Sequence, residues 1–191
     1  MTPIKRRYTP SAGEKKIPSW VPIAIILFIF LVIVGITRYG VRGFAAYNIY
    51  ARGEERDREN VLLQKTRYSC VPCSLVMLLE DQNIDVSAAE IAWISGTDLY
   101  GTNPEGIVAV GNAYGFDVVE AEMNFDELMD ANKPAILYFN WSGNLHAVYV
   151  KPDRRNNYLI VKNPAMGLTR VYKNGVWEYF GSDRWNVYLF E

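Results

Sequence analysis

Residues 64–80 read QKTRYSCVPCSLVMLLE, a polar segment followed by an apolar one. Its first six residues are mostly polar, whereas the run from Cys70 to Glu80 is mostly apolar and contains no glycine. A run of this length and composition is typical of a buried helix. The sequence therefore predicts a helix that begins at Cys70 and is covered by the rest of a folded domain.

Cys70 is a candidate nucleophile because of its predicted place at the N-terminus of that helix. The unpaired N–H groups and the dipole of a first helical turn stabilise a thiolate, which is the reactive form of cysteine. The chain has two cysteines, Cys70 and Cys73, too few for a disulfide framework or a structural zinc site. We therefore expect no structural zinc site, and the sequence implies no other metal and no organic cofactor.

The segments after this helix predict further short helices and then a run of strands. The capping-box pair Ser87 and Glu90 predicts the start of one short helix. A second helix is predicted to begin at Asn103-Pro104 and to end at Gly115, and a third to run from Asn124 to Asn132. Period-two, β-rich runs then follow at Ala135–Asn140, His146–Lys151, Tyr158–Lys162, Leu168–Tyr172 and Val187–Phe190. Helices first and strands second predict an α+β fold with an antiparallel sheet.

Three more residues complete a candidate site around Cys70. His146, the one histidine of the chain, opens a predicted strand, and Asn163 closes the next strand 17 residues later. A hairpin would bring these two together, so that Asn163 fixes the tautomer of the imidazole and leaves its other nitrogen to face Cys70. Gln64 would supply a side-chain N–H to a developing oxyanion. Singly, each residue has an ordinary structural explanation, and only their joint order and spacing predict catalysis.

The same residues resemble the bacteriocin-processing, double-glycine leader peptidases, a family of papain-like cysteine peptidases often fused to ABC exporters. Residues 64–77 resemble the active-site block of that family. Three further segments carry the resemblance: residues 101–118, residues 133–136 with residues 146–150, and residues 161–165. The resemblance implies a papain-like domain in which Cys70 attacks, His146 moves the proton, Asn163 orients the imidazole and Gln64 lines the oxyanion hole. It also implies a peptide or protein substrate with a leader, and a separate exporter as a candidate partner.

The chain departs from the family pattern in three places next to these residues. Val71 stands where the family has glycine, Ser69 where it has an acid, and Asn163 where it usually has aspartate. These departures remove no reacting group but leave room for altered specificity or weaker activity. No phosphate-binding G-x-x-x-x-G-K-[ST] loop occurs, so we expect a stand-alone peptidase domain rather than half of an exporter.

Residues 20–37, WVPIAIILFIFLVIVGIT, predict a single transmembrane helix. The run lacks charge and is close to the ~20 residues that a membrane-spanning helix needs. A cleaved signal peptide is the alternative, but Arg38 follows where a small-residue cleavage site is expected. Basic residues before the span favour a cytoplasmic N-terminus and an extracytoplasmic domain. The predicted organisation is a basic tail over 1–19, the span over 20–37, a stalk over 38–60 and the peptidase domain over 61–191.

Two other function classes are open, and one is excluded. Cys70 and Cys73 form a C-x-x-C pair, as in membrane-tethered thioredoxin-like oxidoreductases, although that fold expects a long apolar strand before the first cysteine. A catalytically inactive peptidase-like binding module is the third possibility. The chain beyond residue 42 is net acidic and has no basic stripe, which argues against nucleic acid as a partner.

Overall fold

A computed structural model describes Pro18, residues 20–141 and residues 143–191. The predicted basic tail over 1–19 lies, apart from Pro18, outside the described residues. The chain divides into two compact units, of which the first ends at Arg38 and the second runs from Tyr39 to Glu191.

The first described element is a long helix, α1 (Trp20–Arg52), of 33 residues. Its apolar side chains from Ile23 to Val34 are exposed within the described structure. By length and composition, this helix can cross a membrane. It continues beyond the predicted span, and Ala45, Ala46 and Ile49 in its later turns are buried in the core of the second unit. The residues predicted as a stalk thus include helical turns that pack into the domain.

The second unit is built on a six-stranded antiparallel sheet within the described residues. Its strands, in the order β3-β8-β4-β5-β6-β7, are β3 (Val118–Asn124), β4 (Ala135–Trp141), β5 (Asn144–Asp153), β6 (Tyr158–Asn163), β7 (Gly167–Tyr172) and β8 (Arg184–Phe190). A separate two-stranded pair is formed by β1 (Glu55–Arg56) and β2 (Leu62–Leu63). The helices of the unit are α2 (Cys70–Asp81), α3 (Ala88–Ile94), α4 (Pro104–Ala113), α5 (Phe125–Ala131) and α6 (Val176–Phe180).

Most helix and strand ends follow the local signals in the sequence. The helix α2 begins at Cys70, and Ser87 caps α3 by accepting the N–H of Glu90 at 3.2 Å. Pro104 is the first residue of α4, and Gly115 follows that helix with a φ of 82°. The short helix α6 is absent from the sequence prediction. Its five residues follow an Asn174-Gly175 pair that signals a turn, and they make too short a pattern to show helical periodicity.

The sheet packs helices on both of its faces. One face is covered by α2, α3, α4 and the end of α1, against inward side chains such as Tyr149 and Tyr188. The opposite face is covered by α5 and α6, against side chains such as Val148 and Val150. Alternation along β5 therefore sends neighbouring side chains into two different cores. This arrangement is the predicted α+β class, with its antiparallel sheet formed by the later part of the chain.

Candidate active site

The helix α2 carries Cys70 against the beginning of β5. Ser74, one turn further along α2, donates its hydroxyl to the carbonyl oxygen of Ala147 at 3.2 Å. The backbone N–H of Ala147 also hydrogen-bonds the Cys70 thiol. Pro72 falls within the first turn of α2, where the missing N–H has no helical partner to lose. The candidate nucleophile is therefore held beside the peptide group that follows His146.

The electrostatic state of Cys70 differs from the expectation based on its helix position. Burial raises the pKa of the Cys70 thiol, and hydrogen bonds from the backbone N–H groups of Ala147, Val71 and Cys70 itself only partly offset this. The side chain is 8% exposed. In the resting protein Cys70 is thus a neutral thiol, because removing it from water disfavours the thiolate more than the helix terminus favours it. Burial and the nearby Cys70 also raise the pKa of Cys73, to about 12.

The structure brings His146 and Asn163 together at one end of the sheet. His146 lies near the start of β5 and Asn163 ends the antiparallel neighbour β6, so both side chains are at the same end. The Nε2 atom of His146 is 2.8 Å from Oδ1 of Asn163. The backbone N–H of Ala165 donates to the same Oδ1 at 2.9 Å. Because an amide nitrogen would repel this N–H, the shared atom is the oxygen, and Nε2 of His146 is the protonated nitrogen.

The imidazole of His146 is enclosed by aromatic rings and is 5% exposed. Its centroid is 4.8 Å from that of Trp141 and 5.6 Å from that of Phe139. Burial lowers the pKa of His146, and the hydrogen bond with Asn163 raises it by less, so the net direction is downward. At neutral pH the ring is therefore uncharged, with its proton on Nε2 and a free lone pair on Nδ1.

Asn163 is fully buried and has partners for both ends of its amide. Its Oδ1 receives two N–H groups, and its Nδ2 donates to the hydroxyl of Tyr179 at 3.0 Å. Tyr179 lies on α6, which sequence reasoning missed, so this contact was missed as well. No local signal marks Tyr179, because its role depends on how α6 folds back onto β6.

Gln64 lies at the opening of the site, between β2 and α2. Its backbone N–H donates to the carbonyl oxygen of Pro164 at 2.8 Å, which ties this loop to the residue after Asn163. Its side-chain oxygen is buried and has no hydrogen-bond partner among the described residues. The side chain lines the same cleft as His146. Its contribution to an oxyanion hole stays a prediction.

A cleft of about 670 Å³ leads to this site. The residues that line it are Gln64, Arg67, Leu99, Tyr100, Trp141, Asn144, Leu145 and His146. Apolar side chains at the entrance of the cleft are exposed to solvent, with Tyr100 98% exposed and Leu145 68% exposed. Open apolar side chains beside a cleft suit the binding of an extended peptide. The described residues contain no group of three or more His, Cys, Asp and Glu side chains arranged to hold a metal ion.

The architecture does not favour a thioredoxin-like protein. Cys70 and Cys73 both have free thiols in the structure. The strand that precedes them is the two-residue β2, whereas a thioredoxin-like site needs a long strand of a βαβ unit before its first cysteine. The C-x-x-C pair here lies within a buried helix that packs on an antiparallel sheet.

Two uncharacterized archaeal proteins are similar in sequence to this chain. One, from Methanothermobacter thermautotrophicus, is 29% identical over 114 residues, which are 59% of this chain and 77% of that protein. The other, from Methanothermobacter marburgensis, is 28% identical over 117 residues, 61% of this chain and 79% of that protein.

Solved structures share the fold, and a family profile matches most of the second unit. The peptidase domain of Streptococcus ComA, a bi-functional ABC transporter involved in a quorum-sensing pathway, is 24% identical with a TM-score of 0.56, covering 67% of this chain and 94% of that one. A double-glycine-motif protease from an AMS/PCAT transporter, solved with its leader peptide, is 18% identical with a TM-score of 0.57, covering 73% and 99%. The profile of the Peptidase C39 family matches residues 58–182. This chain belongs to the Peptidase C39 family.

Proposed function

We propose that this chain is a membrane-anchored cysteine peptidase that cleaves a leader from a peptide or protein by a Cys-His-Asn mechanism. The observation that carries the proposal is the 2.8 Å contact from His146 Nε2 to Asn163 Oδ1, beside the helix terminus that bears Cys70. This contact leaves Nδ1 unprotonated, which is the state a general base requires.

The proposed reaction begins from a neutral thiol and a neutral imidazole. Nδ1 of His146 takes the thiol proton as Sγ of Cys70 forms a bond to the scissile carbonyl carbon. The oxyanion that develops accepts hydrogen bonds from the Cys70 backbone N–H and the Gln64 side-chain N–H. The imidazolium then gives its proton to the leaving amine, and a thioester remains. Water, deprotonated by His146, hydrolyses the thioester and restores the free thiol.

The proposed substrate class is a peptide with a small-residue leader. The apolar side chains of Leu99, Tyr100 and Leu145 at the mouth of the cleft support an extended peptide as the ligand. The structural relatives are a peptidase domain of an ABC transporter and a double-glycine-motif protease from a second transporter, the latter solved with a leader peptide. A separate exporter is the partner that this substrate class implies.

We further propose that residues 20–37 anchor the peptidase domain to the membrane, with the N-terminus in the cytoplasm. Exposed apolar side chains along this part of α1 support the anchor, and basic residues before it support the orientation. A phosphatase reporter that is active only outside the cytoplasm, fused after Glu191 in a bacterial host, is expected to be active. Activity of a cytoplasm-dependent reporter at the same position would reverse the orientation.

The decisive test of the chemistry is a cleavage assay with the two cysteine variants. The full chain in detergent micelles is incubated with peptides that carry double-glycine leaders, and with a Gly-Gly peptide vinyl sulfone as a covalent probe. We expect Cys70→Ala to abolish cleavage and labelling, and Cys73→Ser to retain both.

The two alternatives give different results in the same assay. Loss of dithiol–disulfide exchange in Cys73→Ser, with no peptide cleavage by the wild type, would identify a thiol-disulfide oxidoreductase. Tight binding of leader peptides by the wild type and by Cys70→Ala, with neither cleavage nor labelling, would identify an inactive binding module.

A further inference from the structure

We propose that Tyr179 is a positioning residue that sets the catalytic state of His146 through the amide of Asn163. The structure shows a chain of contacts from His146 to Asn163 and from Asn163 to Tyr179, with distances of 2.8 and 3.0 Å. This inference rests on the proposed function, because the imidazole state matters for catalysis only if His146 is the general base.

An asparagine in this position has an orientation problem that an aspartate does not have. The amide presents one oxygen and one NH₂ group, and a half-turn about its last bond exchanges them. With the NH₂ group toward His146, Nε2 would have to accept, and the ring proton would move to Nδ1, where it blocks the base. Either carboxylate oxygen of an aspartate can accept from Nε2, so both of its orientations are productive. The domain therefore needs contacts that hold the amide of Asn163 in one of its two orientations.

Two contacts hold the amide of Asn163 in the productive orientation. The backbone N–H of Ala165 can only donate, so the amide atom that it contacts must be the oxygen Oδ1. This contact holds Oδ1 toward Nε2 of His146. Nδ2 is then left to face Tyr179, whose hydroxyl accepts its N–H. Burial raises the pKa of Tyr179 by more than the hydrogen bonds with Asn163 and Thr169 lower it, so the hydroxyl stays neutral. Asn163 is 0% exposed, so its amide depends on hydrogen-bond partners within the protein.

The ring of Tyr179 is held independently of its hydroxyl. Its centroid lies 4.8 Å from that of Phe180 and 6.2 Å from that of Phe139. Tyr179→Phe should therefore keep the packing of α6 while it removes the acceptor for Nδ2, together with the hydrogen bond between the hydroxyl and Thr169. The amide NH₂ would be left buried without a partner, a state costly enough to favour rotation of the amide away from its productive plane.

The kinetic test compares the same substitution in two backgrounds. In the wild-type background we expect Tyr179→Phe to lower kcat roughly 5- to 20-fold with little change in KM, because a buried amide group loses its partner. In the Asn163→Asp background we expect the same substitution to lower kcat less than about twofold, because both carboxylate oxygens are acceptors. An equal or larger loss in the Asn163→Asp background would overturn the inference.

A spectroscopic test does not depend on activity. The chain contains one histidine, so ¹⁵N-histidine labelling of the full chain in micelles gives the ring signals of His146 alone. We expect the wild type to show a protonated Nε2 and an unprotonated Nδ1, and Tyr179→Phe to show a mixture of tautomers.

The matched control is Tyr114→Phe, which removes a hydroxyl contact to Glu90 on α3 at 2.9 Å. It is expected to leave the His146 signals unchanged. Unchanged signals in Tyr179→Phe as well would overturn the inference. A shifted tautomer in a chain that cleaves no peptide would refute the proposed function and leave the positioning role of Tyr179 standing.

Discussion

The two faces of the central sheet contribute different parts of the candidate site. The face covered by α2 supplies Cys70, the first residue of a twelve-residue helix in which the ten residues from Cys70 to Leu79 are buried. The face covered by α5 and α6 supplies His146, Asn163 and Tyr179, which belong to two strands and a five-residue helix. Cys70 adjoins this group through the backbone of β5, because Cys70 and Ser74 hydrogen-bond the peptide groups of Ala147, the residue after His146.

The candidate nucleophile and its candidate base are thus positioned by different packing layers of one sheet. A substitution can therefore alter the packing on one face of the sheet and leave the other face unchanged. Variants on the face of α5 and α6 are expected to change the protonation chemistry, and variants on the α2 face to change the stability of the support for Cys70. Four sets of variants can test this division between the two faces.

The largest effect is expected for His146→Ala. In the proposed mechanism, removing the only imidazole of the chain takes away both the acceptor of the thiol proton and the donor to the leaving amine. We expect kcat to fall by about 10³-fold or more, measured by single-turnover cleavage of a leader peptide. Binding of the same peptide should persist, because the α2 face and the cleft mouth are unchanged. Residual activity within tenfold of the wild type would show that His146 is not the base.

The next largest effect is expected at Asn163. Asn163→Ala removes the acceptor that fixes the imidazole tautomer, and we expect kcat to fall roughly 10- to 100-fold. Asn163→Asp should remain active, because a carboxylate can accept from Nε2. Wild-type kinetics for Asn163→Ala at every pH would reduce Asn163 to a turn residue.

The pH profile of kcat/KM tests the hydrogen bond between His146 and Asn163, because the direction in which the profile shifts can be predicted. Burial lowers the pKa of His146 below its ordinary value of 6.5, so the acid limb of kcat/KM for the wild type should lie below that pH. A carboxylate at position 163 stabilises the imidazolium, so Asn163→Asp should move this limb to higher pH. A limb that stays in place would mean that it does not report His146.

A smaller effect, on stability alone, is expected from Gly106→Ala on the α2 face. A Cβ at Gly106 would clash with the backbone oxygen of Ser95, where α4 packs closely on the end of α3. We expect a loss of about 1–3 kcal/mol in the free energy of unfolding, measured by thermal denaturation. The control is Gly175→Ala beside α6, where nothing lies within 4 Å of the added atom. Equal unfolding temperatures for the two variants would contradict the close packing.

The smallest effect is expected from Asp81→Asn, at the end of α2. Asp81 accepts from the Tyr149 hydroxyl at 2.6 Å, from Lys151 at 3.0 Å and from Lys162 at 3.2 Å, which ties α2 to β5 and β6. We expect a loss of about 1 kcal/mol at neutral pH, modest because the carboxylate is partly in water. The control is Asp126→Asn, which removes an exposed ion pair with Lys173 on the other face.

The pH dependence of this loss has a definite sign. Burial raises the pKa of Asp81, but its hydrogen bonds with Tyr149, Lys151 and Lys162 outweigh this and leave the pKa lowered. A lowered pKa in the folded state adds stability that is complete above the unfolded value of about 3.9 and is lost as the pH falls through the folded value. The difference between wild type and Asp81→Asn should therefore shrink in strong acid. A constant difference would exclude the ionised carboxylate as its source.

Much of the fold could be predicted because local signals decide it. Proline and glycine at the ends of α4, the cap at Ser87 and the β-rich runs after Ala135 are all short-range features, and the structure follows them. The helix α6 could not be predicted, because five residues have no measurable period and gain their stability from packing on β4 and β7. The continuation of α1 to Arg52 was missed for a related reason, since charged residues near its end masked a buried stripe at Ala45, Ala46 and Ile49.

The reactive side chains follow from residue identity alone: one histidine and two cysteines, with Cys70 at the start of an apolar run that predicts a helix. The sequence also determined their order along the chain, on which the family resemblance depends. The contacts among these groups, the protonated nitrogen of His146 and the burial that raises the pKa of Cys70 depend on how the chain packs. The physical reason is that residue type and local pattern are properties of short segments. Desolvation and hydrogen-bond geometry arise only when segments distant in the chain exclude water together.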